Sequence, residues 1–547
     1  MIKMKKSIYY KALALCLLLL FAQGAAAVVF EVTTAEEFQS ALAAASQNSS
    51  NDEINLSGGV YSGNFRYKGA GSGNLTITGS DRVENPSIVD GLGSAYGLLI
   101  DELGSDDAAA STSTTSMLLE ISHLRFENIK NIGRNGAALV LAGRRDSSAI
   151  VSDLEILIDE VSEGGAISLS GFSASIARVL FSGSGYVQNL IYVDCSGVRS
   201  NSVAILQPDL DIKNNSWGYL LNTSGSCGDT DFTFETVTTF VSGSSRINAF
   251  NLGAAADIEI KDSVIGSSLG PIYGQKISIS DTEFRNVSLG FKVDKVNLLR
   301  NRFFDSSANF KSRGQRTAVS LVNNLLVNSA VSSNGSYSAQ IHEIEFLSNT
   351  IVDTSLNLAV SESGLDSRIS FVNNILSAGQ PFELEINSLP NLLEARSNIF
   401  NDVGAPNLWD VYENNLNTSP QFYDAENLDF HLQADSPAID AGSDDVVADG
   451  ASDLDGNPRL VGGGVDIGAY ERSTTALHPA DSNGDQSISQ AEFDAYNTAW
   501  RTNDTWPTAP SIIPIDFVTR AGYLLQKGGA YKNIGVGKPA TWVPLAD

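Results

Sequence analysis

Apolar and polar residues alternate along most of this chain, and from Val296 onward the alternation itself repeats. The segments VNLLRNRFFD, VSLVNNLLVN, IEFLSNTIVD, ISFVNNILSA and LEARSNIFND each hold an alternating apolar run, an asparagine, then two or three mostly apolar residues. The asparagines are Asn301, Asn324, Asn349, Asn374 and Asn398, spaced by 23, 25, 25 and 24 residues. Helical repeats would place apolar residues at i, i+3 and i+4. Here they fall at every second position, the mark of short strands. Three short strands and their turns take about two dozen residues, so the period predicts one solenoid coil per repeat, with parallel register between coils. An asparagine at a fixed place in each turn predicts a hydrogen-bonded ladder at one corner, at positions that tolerate left-handed backbone.

Upstream the pattern is looser. IEIKDSVIGS and ISISDTEFRN read as the same turn with Asp262 and Asp281 in the asparagine place. MLLEISHLRFENIKN and LEILIDEVSEGG read as earlier coils, and Leu75 to Gly91 as the first full one. Before it, TTAEEFQSALAAAS reads as a short amphipathic helix that covers the open end of the stack, where strand edges would otherwise go unpaired. Asp101 to Ser116 is polar and low in complexity and reads as a loop bulging from a coil.

Composition fits an elongated β-rich repeat. The 547 residues exceed one compact core, Gly is abundant at 48, and charged residues make up only 18%. The first residues have the form of a signal peptide. Lys3, Lys5, Lys6 and Lys11 precede an apolar run from Ala12 to Ala22, and Ala25-Ala26-Ala27 supplies a small-residue cleavage site. Cleavage after Ala27 makes the protein exported, secreted or held at the cell surface. No other stretch is long and apolar enough to anchor it in a membrane. Losing those four lysines takes the net charge from −28 to −32. Such a surface repels nucleic acid and anionic lipid. Cys195 and Cys227 remain; they either pair in an oxidising compartment or stay as two buried thiols.

After Arg472 the composition changes. DSNGDQSISQAE, Asp481 to Glu492, matches the EF-hand spacing D-x-[DN]-x-[DN]-x-x5-E. A hard Ca²⁺ ion needs several oxygens from one short loop. Asp481, Asn483 and Asp485 would supply positions 1, 3 and 5, the Ser487 carbonyl position 7, and Glu492 both oxygens at position 12. Ser489 could act through water at position 9. Ca²⁺ is the one cofactor this spacing implies. Position 6, usually Gly, is Gln486, which costs ~1 kcal/mol of backbone strain. Ser489 is placed to N-cap an exiting helix that carries Phe493, Tyr496 and Trp500 on one face. A second helix reads from Pro514 to Lys527, with Phe517, Ala521, Leu524 and Leu525 inward and Gly528 as its stop.

These residues carry three resemblances. The coils resemble the right-handed parallel β-helix proteins of the pectate-lyase-like superfamily. SPAIDAG (Ser436 to Gly442), DLDGNPR (Asp453 to Arg459) and VDIGAYE (Val465 to Glu471) resemble the C-terminal signature of the choice-of-anchor Q family, which implies export and display rather than a reaction. Asp453, Asp455 and Asp466 are either structural, with Arg459 paired to Asp440 or Asp466, or a second cation site. The loop with its exiting helix resembles a dockerin repeat. Dockerins carry two calcium loops and only one is found here, so a cohesin-like or other cell-surface partner is implied only weakly. The expected architecture is all-β: a signal peptide over 1–27, a right-handed parallel β-helix solenoid over 28–472 with the signature at about 426–472, and a small C-terminal α-helical EF-hand or dockerin-like module over 473–547.

Function divides between two readings. The leading one is a glycan-binding, adhesive or structural passenger. The alternative is a polysaccharide lyase or glycoside hydrolase acting on acidic polysaccharide in a β-helix groove. A lyase needs a cation or Arg at the uronate carboxylate and a base, and a hydrolase needs paired carboxylates. The nearest constellation is Asp209, Asp211 and Lys213 on one strand face, read first as an ordinary solvated face. Arg144 and Arg145 read as turn charges. His123 and His342 have no evident partner. Lys292 to Arg302, KVDKVNLLRNR, is the most basic short stretch and the best place for a polyanion to dock.

Overall fold

The structure is a computed structural model. It describes residues 27–545, apart from 70–72, 95, 103–115, 130–136, 144–146, 159–161, 184–186, 196–201, 213–216, 225–226, 228–229, 241–245, 252–256, 267–271, 313–316, 335–340, 361–366, 383, 389, 404–408, 434, 462, 473–476, 509–511, 534–538 and 540–541. The predicted signal peptide, Lys213, Arg144 and Arg145 lie outside the described residues. The chain forms two compact units, Met1–Ala256 and Asp257–Asp547.

In the first unit three strand stacks run in parallel, the arrangement of a parallel β-helix. One stack is Val28–Val32, Asp52–Leu56, Leu75–Thr78, Leu118–Ser122 and Ser148–Ile158. A second joins Gly59–Ser62, Ser87–Ser94 and Leu124–Ile129. The third begins at Phe65–Lys68, Tyr96–Asp101 and Ala137–Ala142. The first coil is therefore 52–68, one coil before the stretch at Leu75. Its opening strand, Asp52–Leu56, begins with two acids, and Asp52 is itself buried, which hides the alternation. Helix α1, Ala35–Ala45, covers this end as expected. Thr34 caps it in a capping box with Glu37, and Phe38 packs on Tyr61 and Phe65 with ring centroids 6.0 and 4.6 Å away. Cys195 and Cys227 form a disulfide, with Cα atoms 5.3 Å apart.

The second unit repeats the plan. One stack runs from Asp257–Lys261 through Ile272–Ser280, Ser288–Leu299, Thr317–Val322, Ile341–Leu347 and Arg368–Val372 to Leu392–Arg396. The others include Glu283–Arg285, Arg302–Phe304, Leu325–Val327 and Thr350–Val352, and Ser307–Ser312 with Ala330–Asn334. Like residues stack from coil to coil: Phe284 on Phe303, Phe291 on Phe310, Phe346 on Phe371.

The asparagine ladder is present. The Nδ2 of Asn301 donates to Asn324 Oδ1 at 3.0 Å, Asn324 to Asn349 at 3.0 Å, Asn349 to Asn374 at 2.9 Å, and Asn374 to Asn398 at 3.0 Å. Asn415 adds a rung only 17 residues on, outside the expected period. One expectation is corrected. The left-handed residues are those just before each rung: Arg300, Asn323, Ser348, Asn373 and Ser397, with φ of 51–59°. These turn the chain, so the next side chain can point inward. Asp262 and Asp281 are likewise corner residues, at φ 48° and 51°, and not rungs. Thr282 takes the rung, its N–H donating to Asn301 Oδ1 at 3.1 Å. A second ladder of hydroxyls, Ser306, Ser329 and Thr354, caps the next corner; its weak Ser/Thr signal escaped the sequence reading.

The C-terminal end carries a hairpin, Phe422–Asp424 with Asp429–Leu432, then helices α2, Gln490–Thr502, and α3, Ile515–Gln526. Ser489 caps α2 in a capping box with Glu492. Tyr496, Val518, Ala521, Leu524, Tyr531 and Trp542 form the core here, with Phe493, Trp500 and Phe517 partly buried against it. Leu525 is only partly buried, because Leu524 takes the inward position. Among the described residues no helix is long and apolar enough to cross a membrane.

Candidate functional site

The loop from Asp481 to Glu492 is wound tightly on its own backbone. Asp481 Oδ1 accepts from the Gly484 N–H at 2.7 Å and Oδ2 from the Gln486 N–H at 2.9 Å. Asn483 Oδ1 accepts from the Asp485 N–H, and Asp485 Oδ1 from the Ser487 N–H. Gln486 sits at φ 59°, the left-handed turn that position 6 demands, so the anticipated strain is located there. Glu492 closes the loop: Oε1 accepts from the N–H groups of Ser482 and Asn483, Oε2 from the N–H and hydroxyl of Ser489. Ile488 is buried and its N–H donates to the Gly529 carbonyl, while Ser487 bridges Ala530. The segment after α3 thus pairs with the loop. Tyr531–Asn533 then pairs with Trp542–Pro544. No second loop of this kind occurs among the described residues, which leaves a cohesin-like partner without support.

Burial, then the Asp485 charge, push Asp481 up to about 7, and burial pushes Asp485 up to about 6. Carboxylates buried close to one another hold their protons in this way. Among the described residues no three His, Cys, Asp or Glu side chains converge to hold a metal by themselves. An EF-hand-type loop also draws on an amide and a backbone carbonyl, here Asn483 and Ser487, and its all-oxygen donor set fits a hard divalent ion.

The SPAIDAG, DLDGNPR and VDIGAYE segments form a buried charge cluster. Arg459 is 1% exposed, and it donates to the carbonyls of Gly468 and Asp466 at 3.1 and 2.8 Å. Its carboxylate partner is Glu471, at 3.8 Å, not Asp440 or Asp466. Asp440 Oδ1 accepts instead from the N–H groups of Gly463 and Gly464. Asp453 accepts from the N–H groups of Asp455, Asn457 and Glu471, and Asp466 from those of Asp440 and Arg472. Asp455 is paired with Arg302 and His431. Asp453, Asp455 and Asp466 therefore do not converge as a second cation site; each is committed to folding the cap.

On two adjoining strand stacks, parallel register joins lysines that are distant in sequence. Lys276 lies beside Lys295, and Tyr273, Lys292 and Lys311 fall in one row over three coils. The Lys292 Nζ is 5.9 Å from the Tyr273 ring centroid. Lys292, Lys295 and Lys311 are exposed and Lys276 half-buried, and among the described residues no ion pair takes them up. Only Lys292 and Lys295 were legible as a basic stretch; the 19-residue steps to Lys276 and Lys311 carry no local signal. A depression of roughly 170 Å³ opens beside Lys295, over the small Ala318, walled by Asn297, Ser320, Glu343 and Glu345. Burial raises the Glu345 carboxyl above its ordinary value. Asp209 and Asp211 lie on strand Asp209–Ile212, but nothing about their side chains is described. His123 and His342 each bury an Nδ1 atom without a hydrogen-bond partner.

No family model and no curated protein matches the chain. Several solved structures resemble it. A mannuronic acid-specific polysaccharide family 6 lyase from human gut microbiota matches at 11% identity and TM-score 0.37, covering 73% of this chain and 93% of that one. An alginate lyase from Paenibacillus sp. matches at 14% identity and TM-score 0.22, covering 69% and 99%. A family 6 polysaccharide lyase from Pseudopedobacter saltans matches at 10% identity and TM-score 0.24, covering 76% and 98%. The parallel β-helix assigned to this chain rests on its own strand pairing.

Proposed function

We propose that this is an exported β-helix protein of the choice-of-anchor Q type that binds acidic glycan on its lysine-bearing sheet face and Ca²⁺ in a C-terminal dockerin-like module. The observation that carries the glycan reading is the stacking of Lys276 on Lys295 and of Lys292 on Lys311, in two adjoining strand rows of a chain whose charge is otherwise strongly negative. A polyanion can approach such a protein only through a local basic area. Tyr273 beside Lys292 adds a ring on which a sugar can rest. Export is supported by the leader-like start and by the Cys195–Cys227 disulfide.

The test is binding of alginate, polygalacturonate and a neutral glucan to the mature protein at low and high salt. Acidic glycans are expected to bind and to weaken as salt rises, and Lys292→Ala/Lys295→Ala to lose about tenfold or more in affinity, on the order of 1–2 kcal/mol. Equal binding to the neutral glucan, or none to any, overturns the reading. Turnover is the second reading, and Glu345 carries it. It is a part-buried carboxyl held toward its protonated form beside Glu343, as a general acid must be. Unsaturated or reducing ends that appear with the mature protein and vanish with Glu345→Gln would establish it.

The calcium reading rests on the donor set Asp481, Asn483, Asp485, the Ser487 carbonyl and Glu492. Calorimetric titration of the mature protein is expected to show binding in or below the weak extracellular range of about 10⁻⁴–10⁻³ M. Asp481→Ala should abolish it. No heat up to several millimolar Ca²⁺ would remove this part of the proposal.

A further inference from the structure

The calcium loop does not stand free of the coils. Asn483, at position 3, points its amide nitrogen between two carboxylates: Asp485 Oδ2 at 3.0 Å in its own loop and Asp429 Oδ2 at 3.4 Å in the terminal hairpin. Asp429 also bonds His431 Nδ1 at 2.5 Å, and His431 Nε2 bonds Asp455 Oδ2 at 2.6 Å. Asp455 in turn pairs with Arg302 at 2.7 Å, on a strand inside the coil stack. The His431 ring lies over Tyr470, centroids 4.2 Å apart. A second contact is independent of this chain of bonds. Gly484, at position 4, neighbours Arg472: a Cβ there would lie at ordinary van der Waals distance, 3.7 Å, from Nη1. That same Nη1 donates to the Leu432 carbonyl of the hairpin at 2.7 Å.

We infer that the calcium loop is an intramolecular clasp: through Asn483–Asp429 and the Asp429–His431–Asp455–Arg302 chain, cation binding stiffens the terminal hairpin and last turns of the β-helix. The inference rests on the calcium reading above. The physics lies in the amide. An Asn at position 3 offers its oxygen to a cation and its NH₂ outward to Asp429. A ligand carboxylate there would face Asp429 with like charge. With Oδ1 held by the ion, the amide loses its freedom to rotate, and Asp429 gains a fixed donor.

Hydrogen exchange on the full mature chain, with Ca²⁺ or with EDTA, tests this, with calorimetry in parallel. Calcium is expected to slow exchange at least tenfold at the amides of His431, Asp455 and Asn457, all outside the loop. Asn483→Asp should still give calcium heat, since a carboxylate is an ordinary ligand at position 3, yet lose most of that protection. Asp429→Asn should behave alike, and the reversed pair Asn483→Asp/Asp429→Asn should restore it. Calcium heat with unchanged exchange at those three amides overturns the clasp and leaves the calcium site standing. A reversed pair no better than the single variants also overturns it. Absence of heat in the unmodified chain defeats both.

Discussion

Replacing Arg459 with methionine is expected to destabilise the C-terminal unit by about 3–5 kcal/mol, the usual cost of stranding buried charge. The guanidinium is buried among Asp453, Asp466 and Glu471, and all three are almost wholly buried too. Methionine leaves two carbonyls without donors and three acids without a nearby cation. The pH dependence is the sharper signature. Burial, reinforced by the Asp466 charge, lifts Glu471 to about 8, and burial lifts Asp466 to about 6. An acid whose folded pKa lies above its unfolded value holds its proton more tightly when folded. Its stabilising effect is complete below the unfolded pKa and is lost as pH climbs through the folded one. Urea unfolding in EDTA should therefore show stability falling between about pH 4.5 and 8. Arg459→Met should steepen that fall, because the remaining cationic opposition is gone. Equal stability of the two proteins at pH 8 would show that Arg459 does not hold the cap.

Asn349→Ala is expected to cost about 3–5 kcal/mol by urea unfolding, from four lost buried hydrogen bonds and a small cavity. Its Nδ2 donates to the Leu321 carbonyl at 2.8 Å and to Asn374 Oδ1, while its Oδ1 accepts from the N–H and Nδ2 of Asn324. Alanine removes all four bonds in a fully buried corner and strands the Asn324 N–H; Asn324 Nδ2 keeps the Leu298 carbonyl and Asn374 Oδ1 keeps the backbone N–H of residue 349. Asn349→Asp should fare no better, since it keeps the acceptors, loses both donors and brings a buried charge. The comparison is Asn323→Ala, at a left-handed corner with φ 54° and one side-chain bond to the Ser452 carbonyl. It should cost only about 1–2 kcal/mol, the strain of a non-Asn residue in that region plus one hydrogen bond. Similar losses at the two positions would mean that corner geometry, not the ladder, carries the stability.

The period-two alternation and the asparagine spacing determined the solenoid, because inward residues of a coil must be apolar and its corners must satisfy buried backbone groups wherever they recur. The ladder from Asn301 to Asn398 was readable for that reason, and the tight loop at Asp481 was readable because its turn-forming bonds are local in sequence. The sequence could not say which of two adjacent polar residues turns the corner and which caps it. Asp262 and Asp281 read as rungs in the sequence because Asp suits both places and only φ separates them. Contacts made across coils belong to the tertiary structure alone. Lys276 and Lys311 join Lys292 and Lys295 through strand register, Arg459 finds Glu471 rather than Asp440 because the cap folds back on itself, and Asp429 reaches Asn483 across 54 residues. Each of these depends on how many residues the intervening turns consume, and turns of variable length leave no period to read.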